Sequence, residues 1–80
     1  MQITQKNIKD FLHRYIILHN IDVAGLSHNP EKDISLRRMG GKYIWEATYH
    51  ETDKGNKNKS MSLFVNAVST EVTVKDERGA

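Results

Sequence analysis

Eighty residues, 38% hydrophobic and 28% charged, suffice for one small hydrophobic core and lie outside the low-hydrophobicity regime of disordered chains. The absence of cysteine removes disulfides, thiolate metal sites and thiol nucleophiles together, and fits a reducing, cytoplasmic setting. A formal net charge of +2 does not by itself argue for nucleic acid, so the distribution of charge matters more than its sum.

Taken in chain order, the first element is a helix. Ile8, Phe11, Leu12, Tyr15 and Ile16 follow the spacing of one apolar stripe and predict a helix of about four turns. Thr4 is the expected N-cap, its hydroxyl accepting a free N–H of the first turn, with Ile3 packing on Ile8 as a hydrophobic staple. Lys6, Lys9, Asp10, His13 and Arg14 lie off the stripe, with Asp10 and Arg14 at a supporting i,i+4 spacing. Asn20 tolerates the left-handed conformation that ends a helix. Residues 21–33 then read as a connector, with Val23 and Leu26 as core plugs and Asn29-Pro30 as a turn. The apolar-rich run from Tyr15 to Leu18 is far below the roughly 20 residues of a membrane span. With no h-region or cleavage site at the N-terminus, no membrane association is expected.

From residue 33 the apolar period changes from 3.6 to 2. A two-residue turn centred on Gly40-Gly41, where positive φ is needed, pairs Leu36 with Trp45 and Ile34 with Ala47 on one face. The same register sets Ser35 against Glu46 and Arg37 against Ile44 on the other, and a slip of one residue destroys this matching. Centring the next turn on Gly55 pairs Tyr49 with Met61, Ala47 with Leu63 and Trp45 with Val65, and sets Glu51 against Lys59 and Asp53 against Lys57. The expected fold is therefore α+β: an N-terminal amphipathic helix packed on a three- or four-stranded antiparallel meander. Its core face comprises Ile34, Leu36, Tyr43, Trp45, Ala47, Tyr49, Met61, Leu63 and Val65. Residues 71–75 supply the fourth strand through a four-residue turn at 67–70. Residues 1–75 form a single domain, with 76–80 as a flexible tail.

No catalytic motif, and hence no enzyme, is expected. The histidines His13, His19, His28 and His50 lack metal-ligand spacing, so neither metal nor cofactor is expected. Glu46, His50, Glu51 and Asp53 form no general-base constellation, because adjacent strand residues point to opposite faces. Tyr43, Trp45 and Tyr49 could stack bases on an open sheet, but they share the face that the helix covers and are expected in the core. The opposite face carries Ile44 and Phe64, which the core does not use. Together with Arg37, Glu46 and His50 they form the expected protein-binding surface, one that a second copy of the chain could also occupy.

The alternative is nucleic-acid binding through basic turns. Residues 37–59 hold a local excess of +3, from Arg37, Arg38, Lys42, Lys54, Lys57 and Lys59 against Glu46, Glu51 and Asp53. Of these, Arg38, Lys42, Lys54, Lys57 and Lys59 would contact phosphates. By the predicted register, however, the two turns lie at opposite ends of the middle strand and divide the charge. The run GKYIWEATYHETDKGNKNKSMSLF, residues 41–64, resembles the three-stranded DNA-binding domains at the N-termini of some phage and transposon integrases, which also carry a tryptophan-bearing strand and a Gly/Lys hairpin. In that family the helix follows the sheet, whereas here it precedes it, so no residue role carries across. The expected function is a non-enzymatic binding module: a protein-binding adaptor or inhibitor of the kind that small phage or mobile-element accessory proteins often are.

Overall fold

The computed structural model describes residues 2–51 and 60–77. The apolar stripe forms α1 (Ile8–Leu18), followed by β1 (Leu26–Ser27), β2 (Ile34–Met39), β3 (Lys42–Glu51), β4 (Ser60–Asn66) and β5 (Val72–Asp76). Among the described residues the strands form one five-stranded antiparallel sheet in the order β1-β3-β4-β5, with β2 also paired to β3. The helix covers one face, so the chain is the α+β domain that its periodicities predict.

The two glycines set the first hairpin. Gly40 and Gly41 have φ of 58° and 78°, the left-handed values that a tight two-residue turn requires. The register that follows pairs Leu36 with Trp45, Ile34 with Ala47, Ser35 with Glu46 and Arg37 with Ile44. Between β3 and β4, Tyr49 faces Met61, Ala47 faces Leu63 and Trp45 faces Val65. Both registers are those expected from the sequence. The expected pairs of Glu51 with Lys59 and Asp53 with Lys57, and the turn at Gly55, lie outside the described residues.

The fourth meander strand is present as β5, from Val65 opposite Val72 to Met61 opposite Asp76. Its turn is held by Asn66, whose Oδ1 accepts the N–H groups of Val68 and Ser69 at 2.9 and 3.0 Å. Thr70 takes a positive φ of 64°. Beyond the expected boundary at residue 75, the strand continues to Asp76, and Glu77 still donates its N–H to the Ser60 carbonyl at 3.0 Å.

The fifth strand comes from the connector. β3 has ten residues and β2 six, so the edge of β3 past Ala47 needs other partners for its backbone groups. Leu26 and Ser27 take up Glu51 and His50. Between the two strands, Thr48 donates its N–H to the Asp33 carbonyl at 2.9 Å, and its carbonyl accepts from His28 Nδ1 at 2.8 Å.

The helix is closed by backbone bonds at its C-terminal end and by a side chain together with backbone at its N-terminal end. Asn20, at φ 52°, ends α1 as expected: its N–H bonds the Ile17 carbonyl at 3.3 Å and that of Ile21 bonds Ile16 at 3.0 Å, the paired bonds of a Schellman motif. At the other end the expected hydroxyl cap is replaced by a reciprocal contact. Asn7 Oδ1 accepts the Thr4 N–H at 2.7 Å, while the Thr4 carbonyl accepts from the N–H groups of Asn7 at 3.1 Å and Ile8 at 2.9 Å.

The core joins Ile3, Ile8 and Leu12 to Trp45, Ala47, Tyr49, Met61, Leu63, Val65 and Ala67, all buried. Val23, Leu26 and Ile34 pack against it partly buried. Ile3 is clamped by its backbone: its N–H bonds the Ala67 carbonyl at 2.7 Å, and its carbonyl accepts the Trp45 indole N–H at 3.0 Å. Two expected core residues are not in it. Leu36 is 48% and Tyr43 51% exposed, because the N-terminal segment crosses the sheet at Trp45 and nothing among the described residues covers the hairpin beyond that line.

Candidate protein-binding surfaces

Strand parity brings Arg37, Ile44, Glu46, His50 and Phe64 onto the face opposite the helix. Arg37 stands across from Ile44, and Phe64 across from Glu46. Ile44 and Phe64 are half-buried and line one shallow hollow of about 200 Å³ with Lys42, Asn66, Glu71 and Thr73. No other element among the described residues lies over them. Around them the face is short and polar, with Ser35, Thr48, Ser62 and Thr73 at the alternate positions.

Its charges are largely self-compensated. Arg37 Nε lies 3.0 Å from Glu46 Oε1, and Lys75 Nζ lies 3.6 Å from Glu77 Oε1 at the β5 edge. His50, at the far end, has Nε2 3.3 Å from Asp33 Oδ1. The second Asp33 oxygen accepts the Asn29 N–H at 2.8 Å. That bond holds the Asp33 carboxyl below its ordinary range, against partial desolvation and with help from His50. The cluster ties the Asn29-Pro30 turn to β3 and anchors one end of the face.

The alternative nucleic-acid set is divided. Arg38 lies on the helix side of the sheet, its guanidinium carbon 5.9 Å from the Tyr43 ring centroid, whereas Lys42 lines the hollow on the other side. Lys54, Lys57 and Lys59 lie outside the described residues. The aromatics expected as core are split likewise: Trp45 and Tyr49 are buried, and Tyr43 stands at the exposed hairpin end.

The four histidines are used singly. His28 stacks on Tyr49 at 4.1 Å between centroids and His19 on Tyr15 at 4.1 Å. His50 meets Asp33, and His13 is exposed on α1. Among the described residues no group of three or more His, Asp or Glu side chains is placed to hold a metal ion. No helix among them is long and apolar enough to cross a membrane.

Periodicity alone did not reveal the apolar surface on the helix side, where Leu36, Tyr43 and Val68 are exposed beside buried Trp45 and Ala67. They border an open groove of about 440 Å³. The signal that could have found it is length, since the predicted helix is too short to cover both ends of the predicted strands. No protein-family model, no curated protein and no solved structure matches the chain.

Proposed function

We propose that the chain is a non-enzymatic protein-binding module that docks a partner on the sheet face opposite the helix, as an adaptor or inhibitor. The observation that carries this is the pair Ile44 and Phe64, which line one hollow on a sheet face that no described element covers. Completing the burial of such side chains contributes on the order of 2 kcal/mol each, and the Arg37–Glu46 and His50–Asp33 pairs give the rim fixed polar groups that set register. The partner is a protein presenting a small apolar surface with polar edges.

Crosslinking and affinity capture with the tagged protein test this. Wild type is expected to retain one partner, Phe64→Asp to lose it with an unchanged far-UV spectrum, and Leu18→Asp, at an exposed helix position, to keep it. Capture that survives Phe64→Asp overturns the assignment of this face. Salt-dependent anisotropy of a labelled duplex or single strand, abolished by substituting Arg38 and Lys42, would instead favour the nucleic-acid alternative.

A further inference from the structure

We infer that the free edge of β2 is a strand-addition site for an extended acidic peptide segment, distinct from the outer face. Three independent observations converge on it.

The first is backbone accounting. The tight turn makes Met39 and Lys42 a hydrogen-bonded pair, and the alternation of an antiparallel ladder then assigns Arg37 with Ile44 and Ser35 with Glu46 the same way. Ser35, Arg37 and Met39 therefore spend their backbone groups on β3. Ile34, Leu36 and Arg38 direct theirs away from it, and no described residue bonds them. The edge has no proline and no bulge, two devices that blunt such edges.

The second is the surface beside that edge. On the helix side two hollows adjoin it, one of about 340 Å³ lined by Ile34, Ile8 and Pro30 together with Lys9 and Glu31, the other of about 440 Å³ lined by Leu36, Tyr43 and Val68. They share Gln5 and Trp45, so they succeed one another along the strand at its two-residue side-chain spacing. A strand added to β2 projects alternate side chains into them.

The third is charge. Arg38 occupies the next position on the same side, over the exposed Tyr43 ring, with no carboxylate partner among the described residues, whereas Arg37 is paired with Glu46. An antiparallel occupant thus reads, from its N-terminus, acidic–x–apolar–x–apolar, opposite Arg38, Leu36 and Ile34. A second copy is the poorer occupant, because antiparallel pairing of two β2 strands brings Arg37 and Arg38 of both copies to one seam.

The test is selection from a random twelve-residue peptide library displayed on phage against the full chain, followed by anisotropy with the enriched peptide made synthetically. Enrichment of the acidic–x–apolar–x–apolar pattern is expected. Leu36→Pro deletes one outward N–H without touching the β3 ladder and should weaken binding about tenfold relative to Leu36→Ala, the net value of one hydrogen bond. Arg38→Glu should weaken binding at least tenfold and keeps the proposal falsifiable if the proline variant does not fold. Bound peptide should slow amide exchange at Ile34, Leu36 and Arg38 while leaving Ser35 and Arg37 unchanged. Phe64→Asp should leave peptide affinity intact, which separates this site from the outer face. No enriched pattern, equal affinities for the Leu36→Pro and Leu36→Ala variants, or a dimer in sedimentation that Leu36→Pro dissolves would each overturn it.

Discussion

Trp45 and Tyr43 stand two residues apart on the same side of β3, yet Trp45 is 8% exposed and Tyr43 51%. Substituting each tests where the core ends. Trp45→Phe removes the indole N–H that satisfies the Ile3 carbonyl. Leaving that buried acceptor unpaired costs about 1–3 kcal/mol, and the lost ring volume adds about 1 kcal/mol. A total of about 3 kcal/mol is a large share of the roughly 4–12 kcal/mol typical of a domain this size, enough to lower the thermal midpoint by roughly 10–25 °C. Tyr43→Ala would cost about 3–5 kcal/mol were the ring fully buried, as the apolar alternation alone implies. At half exposure, with the Arg38 contact and partial packing to lose, about 1 kcal/mol is expected. Urea unfolding followed by far-UV circular dichroism reads both, since Trp45 is the single tryptophan and fluorescence disappears with it. Equal losses for the two variants, or a loss below about 1 kcal/mol for Trp45→Phe, would refute the placement of the core boundary.

Two further outcomes follow from local geometry. Asn20→Gly should leave stability unchanged or slightly raised, whereas Asn20→Val should cost about 1–2 kcal/mol, because a β-branched residue is strained at positive φ; thermal melts of both variants check this, and an equal effect would refute the helix stop. The Asp33 carboxyl, held below its ordinary range mainly by the Asn29 N–H, contributes stability that is present above its unfolded pKa of about 3.9 and is lost as pH falls through the lower folded value. Asp33→Asn should flatten that acid limb in urea midpoints measured from pH 7 downward, and an unchanged limb would count against the clasp.

The registers of both hairpins were legible because each rested on two constraints that had to agree. Glycine at the required turn and apolar opposite apolar fix the first; a turn centred on Gly55 and apolar opposite apolar, as Ala47 against Leu63, fix the second. The end of α1 was equally legible, since asparagine is among the few residues that take its conformation. Three features were not. The Asn7 side chain that ties down Thr4 is one of several polar groups near that end, and only the path of the chain selects it. β1 exists because β3 outruns β2, a tertiary demand that two residues of sequence cannot announce. The exposure of Leu36 and Tyr43 depends on where the helix stops, which alternation along a strand does not encode.

The lengths explain that exposure. α1 has 11 residues and is about 17 Å long, while β3 has 10 and extends about 34 Å. The helix cannot cover the strand from end to end, and the clamped segment at Ile3 carries the cover only as far as Trp45 and Ala67. The hairpin of β2 and β3 therefore projects with both of its sides accessible. Alternation along β2 then separates what it offers: odd positions, with Arg37, belong to the face of Ile44 and Phe64, and even positions, with Leu36 and Arg38, belong to the free edge and the hollows on the helix side of the sheet. Arg37 and Arg38 are adjacent in sequence and equal in charge, but one is already neutralised by Glu46 and the other lies on an aromatic ring with its charge unspent. Substituting them one at a time therefore discriminates between the two surfaces: loss of peptide affinity belongs to Arg38, and loss of register on the outer face belongs to Arg37.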